Sequence, residues 1–193
     1  MLKLKAMAAI AVIAVVALAG CGSSLNSSST VDPNAAEVSP PGDIPDNQVF
    51  VPYKEDGGSF TVKVPEGWAR SSTAAGTEFT DKLNSVTITT TKAPPLSKAE
   101  ASSTELPSLQ KSVTGFSNPK VSTVKRTAGS AVLITYLARG KPDPVTGKST
   151  TNEVERYIFS KGGVRATLSL SGPKGADNVD PWRTISDSLK WNG

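Results

Sequence analysis

Short stretches of alternating apolar and polar residues recur after residue 48, and this period of two is typical of half-buried β-strands. Apolar side chains occupy every second position at Phe60, Val62 and Val64, and again at Val86 and Ile88. A third stretch, residues 131–138 with the sequence AVLITYLA, is apolar on both faces. It predicts a strand in the interior of a sheet.

A β-hairpin is predicted near the end of the chain. Residues 154–159 and 164–170 flank the sequence Lys161-Gly162-Gly163. Two glycines supply the positive φ angles that a two-residue hairpin turn needs, so the two stretches should pair directly. The alternation in the second stretch then directs four side chains into the core: Val164, Ala166, Leu168 and Leu170.

Two stretches have helical spacing. Ser97 and Glu100 fit a capping box, and the apolar residues that follow near helical spacing are Leu106, Leu109 and Val113. Pro107 interrupts this stretch, so it predicts a kinked helix or two short helices, the second starting between Thr104 and Pro107. The second stretch predicts a helix capped by Asp180, with Pro181 in the first position. Its apolar stripe, which should pack on the sheet, consists of Trp182, Ile185 and Leu189.

The order of these elements indicates the fold class. Strands come first, one helical stretch follows, and further strands precede a final helix, with no regular alternation of strand and helix. This order favours an α+β fold with an antiparallel sheet packed against helices. Residues 49–193, with 19 basic and 13 acidic side chains, are long enough for one such domain.

The N-terminal residues have the features of an export signal. Lys3 and Lys5 precede an uncharged apolar run, residues 6–19, that is too short to span a bilayer. The run ends in Leu18-Ala19-Gly20-Cys21, and Cys21 is the only cysteine in the chain. This sequence resembles the lipobox of bacterial lipoproteins. The resemblance implies a signal peptide over residues 1–20, cleavage before Cys21 and a diacylglyceryl group on its sulfur.

The next residues, 21–48, predict a lipid-bearing cysteine followed by a disordered tether. They contain no Lys or Arg and are rich in Ser, Pro and Asn, so they cannot bury enough apolar surface to fold. As a flexible coil, the tether would reach roughly 25–30 Å. Two acyl chains give stable anchoring, so the predicted location is the extracytoplasmic face of the cell membrane, held there through Cys21.

A second resemblance covers roughly residues 48–193. Val64-Pro65-Glu66-Gly67-Trp68 after a strand, the hairpin, and a final helix ending in Ser188-Leu189-Lys190-Trp191 resemble the PsbP-like fold. Residues 172–182 are similar to a motif of small actinobacterial lipoproteins of the LpqN type. These motifs are structural, and they imply an antiparallel sheet between helices without implying a catalytic residue.

The residues offer little for catalysis. The chain has no histidine, which excludes Ser-His-Asp and Cys-His sites and histidine-containing zinc sites. Glu153 and Glu155 should lie on one face of a strand, where they form a carboxylate pair or are paired with neighbouring Lys and Arg side chains. Gly147-Lys148-Ser149 lacks the first glycine of a phosphate-binding loop. The oxygen ligands of Asp177, Asn178 and Asp180 lack calcium-loop spacing, so no metal or cofactor is expected.

Two functions therefore remain from the sequence. The first is a non-catalytic binding or accessory module that engages an envelope protein or glycolipid, for which a basic surface would help. The residues considered for that surface are Lys120, Lys125, Arg126, Arg139, Lys141 and Lys148. The alternative is a carrier of a lipid or small amphiphile, in a cavity between sheet and helix lined by Trp68, Phe79 or Phe116. Nucleic acid is not expected, because no aromatic residues interleave with the basic ones.

Overall fold

The computed structural model describes residues 41–73, 76–143 and 145–193. The predicted signal peptide, the lipobox residues Leu18, Ala19, Gly20 and Cys21, and the tether up to residue 40 lie outside these ranges. Among the described residues, no helix is long and apolar enough to cross a membrane.

Within the described ranges, ten strands form two antiparallel sheets. They are β1 (Phe50–Lys54), β2 (Phe60–Pro65), β3 (Ala69–Thr73), β4 (Gly76–Asp81), β5 (Asn84–Lys92), β6 (Ser117–Arg126), β7 (Gly129–Arg139), β8 (Thr151–Lys161), β9 (Val164–Pro173) and β10 (Lys190–Trp191). The large sheet has the order β3-β4-β5-β9-β8-β7-β6, and the small sheet has the order β1-β2-β10. The predicted α+β class with an antiparallel sheet is confirmed.

Each face of the large sheet carries its own apolar cluster. On one face, side chains of the sheet pack against the small sheet and helix α3 (Val179–Asp187), with Phe60, Leu168 and Ile185 fully buried. On the other face, Ile134 and Tyr136 lie in a second cluster with Leu109. The strands of the large sheet supply side chains to both clusters, because successive residues of a strand point to opposite faces.

The predicted strands are confirmed. Phe60, Val62 and Val64 are buried on β2, and Val86 and Ile88 are buried on β5. Residues 131–138 lie within β7, between β6 and β8. The predicted hairpin is the β8–β9 turn, where Lys161 pairs with Val164 and both Gly162 and Gly163 have positive φ angles of 57° and 77°. These φ angles favour glycine at both positions.

The first helical stretch is also as predicted. Ser97 and Glu100 form the capping box at the start of α1 (Lys98–Glu100), with both reciprocal hydrogen bonds present. A wider π-helical turn, Ala101–Glu105, leads into α2 (Leu106–Ser112). Pro107 lies in the first turn of α2, immediately after the wide turn, and its missing N–H leaves one position of the helical stretch without a hydrogen bond. The wide turn therefore divides the helix just ahead of the proline.

The end of the chain differs from its prediction. Helix α3 begins at Val179 with Asn178 as its N-cap, so Asp180 and Pro181 lie inside the first turn. The helix ends at Asp187, and Lys190–Trp191 forms a strand that was predicted to be helical. The ring of Trp191 packs edge-on against Phe60 at 5.9 Å between centroids. This contact, made with a residue far away in the sequence, favours the strand.

The boundary of the predicted tether is wrong. Residues 41–48, called here the N-terminal segment, contact the domain, and Ile44 is buried in the core between the sheets. The side chain of Asn178 accepts a hydrogen bond from the Ile44 N–H at 2.8 Å and donates one to the Gly42 carbonyl at 3.0 Å. Asn84 donates a second hydrogen bond to that carbonyl, at 2.9 Å. These buried partners order residues whose composition alone predicts disorder.

Candidate binding groove

A groove of about 330 Å³ lies on the large sheet beside helix α3. Its lining residues are Asn118, Thr135, Tyr136, Leu137, Glu153, Val154, Glu155, Lys174 and Trp182. It includes both glutamates that the sequence selected and one residue of the predicted apolar stripe. The groove thus brings the carboxylates of Glu153 and Glu155 and the aromatic ring of Trp182 to one site.

The pleat of β7 and β8 places the two carboxylates together. Glu155 lies opposite Thr135 and Glu153 lies opposite Leu137, so all four side chains occupy one face of the sheet. Further along β8, Tyr157 continues the same face but is covered by the core. The prediction that the two glutamates share one face of the strand is confirmed. Both line the groove beside α3.

Glu155 belongs to a hydrogen-bonded network that extends beneath α3. The Tyr157 hydroxyl donates to the Glu155 carboxylate and accepts from Arg126 Nη2 at 3.1 Å. The guanidinium of Arg126 also donates to Ser186 Oγ at 3.0 Å and lies 3.6 Å from a carboxylate oxygen of Asp187. Its Cζ lies 5.1 Å from the centre of the Tyr157 ring, within range of a cation–π contact. These contacts hold the Glu155 carboxylate in position.

This network predicts a loss of stability at alkaline pH. Burial, followed by the hydrogen bond to Glu155, raises the pKa of Tyr157 from 10.0 to about 12. Between these two values the unfolded chain loses a proton that the folded chain keeps, so the free energy of unfolding should fall by roughly 2–3 kcal/mol. Urea unfolding of the wild type and of Tyr157→Phe at pH 9 to 12 measures this fall in the free energy of unfolding.

The Tyr157→Phe variant should be less stable at pH 9 but should show a shallower decline as the pH rises. Ionisation of Tyr136, whose pKa burial also raises, contributes equally to both proteins. Parallel pH profiles for the two proteins would contradict the role assigned to Tyr157.

The groove offers carboxylate oxygens to a cationic or hydrogen-bonding partner. The sequence reading in which Lys and Arg side chains pair with the two glutamates is wrong, because neither forms an ion pair within the described ranges. Glu155 accepts the tyrosine hydroxyl instead. The chain has no histidine to act as a base beside them, and the acidic groups among the lining residues of the groove are the two glutamates.

The three aromatic residues predicted to line a ligand cavity do not come together. Phe79 is buried in the core between the sheets, 5.2 Å from the Tyr53 ring centre. Trp68 packs at the edge of that core and lines a small cavity of about 140 Å³ with the N-terminal segment. Phe116 lies on the opposite face of the large sheet, 5.0 Å from the Tyr136 ring centre. Of the three candidates, Trp68 therefore lines a cavity, and Phe79 and Phe116 pack in two different apolar clusters.

The predicted basic surface is also divided. Arg126 is engaged in the network beneath α3, and Lys141 forms an ion pair with Glu78 at 3.0 Å.

Two motifs from the sequence have structural roles. Gly147-Lys148-Ser149 lies in the β7–β8 loop and is followed by a strand, whereas a phosphate-binding loop is followed by a helix. Asp177 and Asn178 serve the N-terminal segment: the Asp177 N–H donates to the Asp43 carboxylate, and Asn178 holds Gly42 and Ile44.

Comparison with known proteins identifies the fold. No protein-family model and no curated protein matches the chain. Among solved structures, the cyanobacterial PsbP of Synechocystis sp. PCC 6803 (CyanoP) matches with a TM-score of 0.52 and 11% identity. The match covers 78% of this chain and 98% of CyanoP. It shows that the chain has a PsbP-like fold.

Two further solved structures match less closely. LpqN of Mycobacterium tuberculosis, described as involved in cell envelope biogenesis, has 15% identity and a TM-score of 0.46 over 77% of this chain and 93% of its own. A protein of Bacteroides thetaiotaomicron has 16% identity and a TM-score of 0.49 over 74% of this chain. The chain spans 48% of the length of that protein.

Proposed function

We propose that the protein is a non-catalytic binding module of a bacterial cell envelope, anchored by lipid on Cys21 at the outer face of the membrane. Its partner is an envelope protein or glycolipid. The observation that carries the proposal is the sequence Leu18-Ala19-Gly20-Cys21 at the end of an apolar run, in a chain with no other cysteine. A thiol at this position serves the anchor and no disulfide.

The described domain supports the binding part of the proposal. Its core is filled by its own side chains, including the fully buried Phe60, Tyr157, Phe159 and Leu168. The open groove beside α3 presents Glu153 and Glu155 at the surface, and the buried Arg126 network holds Glu155 in place. A rigid polar groove of this kind suits recognition of a partner group.

The carrier alternative has less support. It expects Trp68, Phe79 or Phe116 to line a ligand cavity between sheet and helix. Phe79 lies in the core and Phe116 lies on the other face of the large sheet. Trp68 lines a cavity of about 140 Å³, which is small for a lipid. Native mass spectrometry separates the two functions. The full chain would be produced in a bacterium that processes lipoproteins, extracted in mild non-ionic detergent and measured intact.

The expected mass is that of residues 21–193 with covalent acyl chains and no bound small molecule. A stoichiometric non-covalent lipid would favour the carrier. A mass that includes residues 1–20 and no acyl group would contradict the anchor and leave the groove proposal standing. Crosslinking in intact cells would then identify the partner of the anchored module.

A further inference from the structure

Three lysines share the outer face of the small sheet. Lys54 on β1 and Lys190 on β10 both lie opposite Thr61, the residue between them on β2. Lys63 is two residues beyond Thr61 and points to the same side. Neighbouring strands are about 5 Å apart, so the three lysines surround Thr61 within roughly 10 Å of one another. We call Lys54, Lys63 and Lys190 the lysine face.

Within the described ranges, no carboxylate forms an ion pair with this face. All three lysines are exposed, and among the described residues none of them forms an ion pair. The other outward positions of the sheet, Phe50, Pro52, Thr61 and Pro65, carry no charge. The acidic residues in the adjoining turn are engaged elsewhere: Asp56 pairs with Arg70 at 3.2 Å, and Glu55 accepts the Ser59 N–H at 3.1 Å.

The backbone fixes the position of the third lysine. The Asn192 N–H donates to the Ser59 carbonyl, and Asn192 Nδ2 donates to the Gly58 carbonyl, each at 3.0 Å. The Thr61 hydroxyl donates to Asn192 Oδ1 at 3.3 Å. These bonds hold β10 beside β2, so the positive charges are presented in a fixed arrangement although like charges at neighbouring positions repel.

We propose that the lysine face binds a polyanionic polymer, of the class whose repeating units carry phosphate or carboxylate groups. A flat sheet face with three unpaired ammonium groups can contact successive charges of an extended chain, and release of counterions from the polymer favours binding. This inference does not rest on the lipid anchor or on the groove beside α3, since it concerns another surface of the folded domain.

The surroundings favour a polymer over a lipid bilayer. Binding to a bilayer interface usually adds apolar side chains that insert among the lipids. The large exposed apolar residues of the described ranges are Val49, Leu83, Val145 and Val179, and none of them lies among the three lysines. Phe50 is on the same side of β1, but it is half-buried and packs against the core. The N-terminal segment joins β1 at the Phe50 end, whereas Lys54 is at the other end of that strand.

The test uses the full chain reconstituted into vesicles of phosphatidylcholine, free of detergent, and titrated against fluorescently labelled inorganic polyphosphate at several salt concentrations. The triple variant Lys54→Gln, Lys63→Gln, Lys190→Gln should bind at least roughly tenfold more weakly at low salt, and the slope of log Kd against log salt should fall by about three. Its Tm should be unchanged or higher, because repulsion among the lysines is removed.

The matched control is Lys111→Gln, Lys120→Gln, Lys148→Gln, which removes the same charge from three exposed lysines on separate elements. It should weaken binding by less than about twofold. Equal losses in the two triple variants, or no binding by the wild type, would overturn the proposal. So would displacement of the polymer by vesicles containing phosphatidylglycerol but not by vesicles of phosphatidylcholine alone, which would assign the face to a bilayer.

Discussion

Replacement of Cys21 by alanine is expected to abolish lipid attachment completely. Without the thiol no thioether can form, and cleavage before residue 21 should fail with it, because the lipobox resemblance implies that lipid attachment precedes cleavage. Cells grown with an alkyne-labelled fatty acid should give a labelled wild-type band and an unlabelled variant that retains residues 1–20 in its intact mass. Label and mass are the measurements, because the apolar run could hold an uncleaved chain at the membrane without acyl chains.

Ser23→Ala is the matched control for this prediction, since it removes a small polar side chain two residues after the lipobox. It should be labelled and cleaved like the wild type. A Cys21→Ala protein that still carried the fatty acid label would place lipid on another residue, and the assignment of the anchor would fail.

Replacement of Asn178 by alanine is expected to cost about 2–5 kcal/mol of unfolding free energy. The Asn178 side chain is 2% exposed, and its loss leaves the buried Ile44 N–H and the Asn84 amide oxygen without their partners. Equilibrium urea unfolding measures the loss. Hydrogen exchange should in addition show faster exchange in the N-terminal segment, where the freed backbone groups lie.

Asn47→Ala provides the comparison, because Asn47 belongs to the same segment but is exposed. Its effect should stay within about 0.5 kcal/mol. If the two variants had equal stability, the buried hydrogen bonds of Asn178 would make no net contribution to the free energy of unfolding. The ordering of the N-terminal segment would then need another cause.

The sequence predicted those parts of the fold that depend on local pattern. Alternation identified β2 and β5, a run that is apolar on both faces identified β7, and the glycine pair identified the β8–β9 turn, because burial and turn geometry are decided by neighbouring residues. It did not predict β1, β3, β4 or β6. It also missed β10 and the order in the N-terminal segment. Both depend on distant partners: Trp191 packs on Phe60, and Gly42 is bound by a side chain 136 residues away.

The candidate site was predicted to a smaller extent. The period of two placed Glu153 and Glu155 on one face, but it could not show that Tyr157, two residues further along the same strand, donates to Glu155. Phe79 and Phe116 lie in apolar clusters, because large apolar side chains fill the core more often than they line cavities. The lysine face could not be found from the sequence at all, since it needs β10 beside β2.

The way Asn178 holds the N-terminal segment decides how the domain responds to mechanical load. A pull applied from the N-terminal side of the chain reaches the fold at Gly42 and Ile44, before it reaches β1. The first bonds under tension are therefore those between this segment and the residues Asn84 and Asn178. They can break while the pairing of β1 with β2 stays intact, so the segment acts as an extensible link that lengthens under force and spares the sheets.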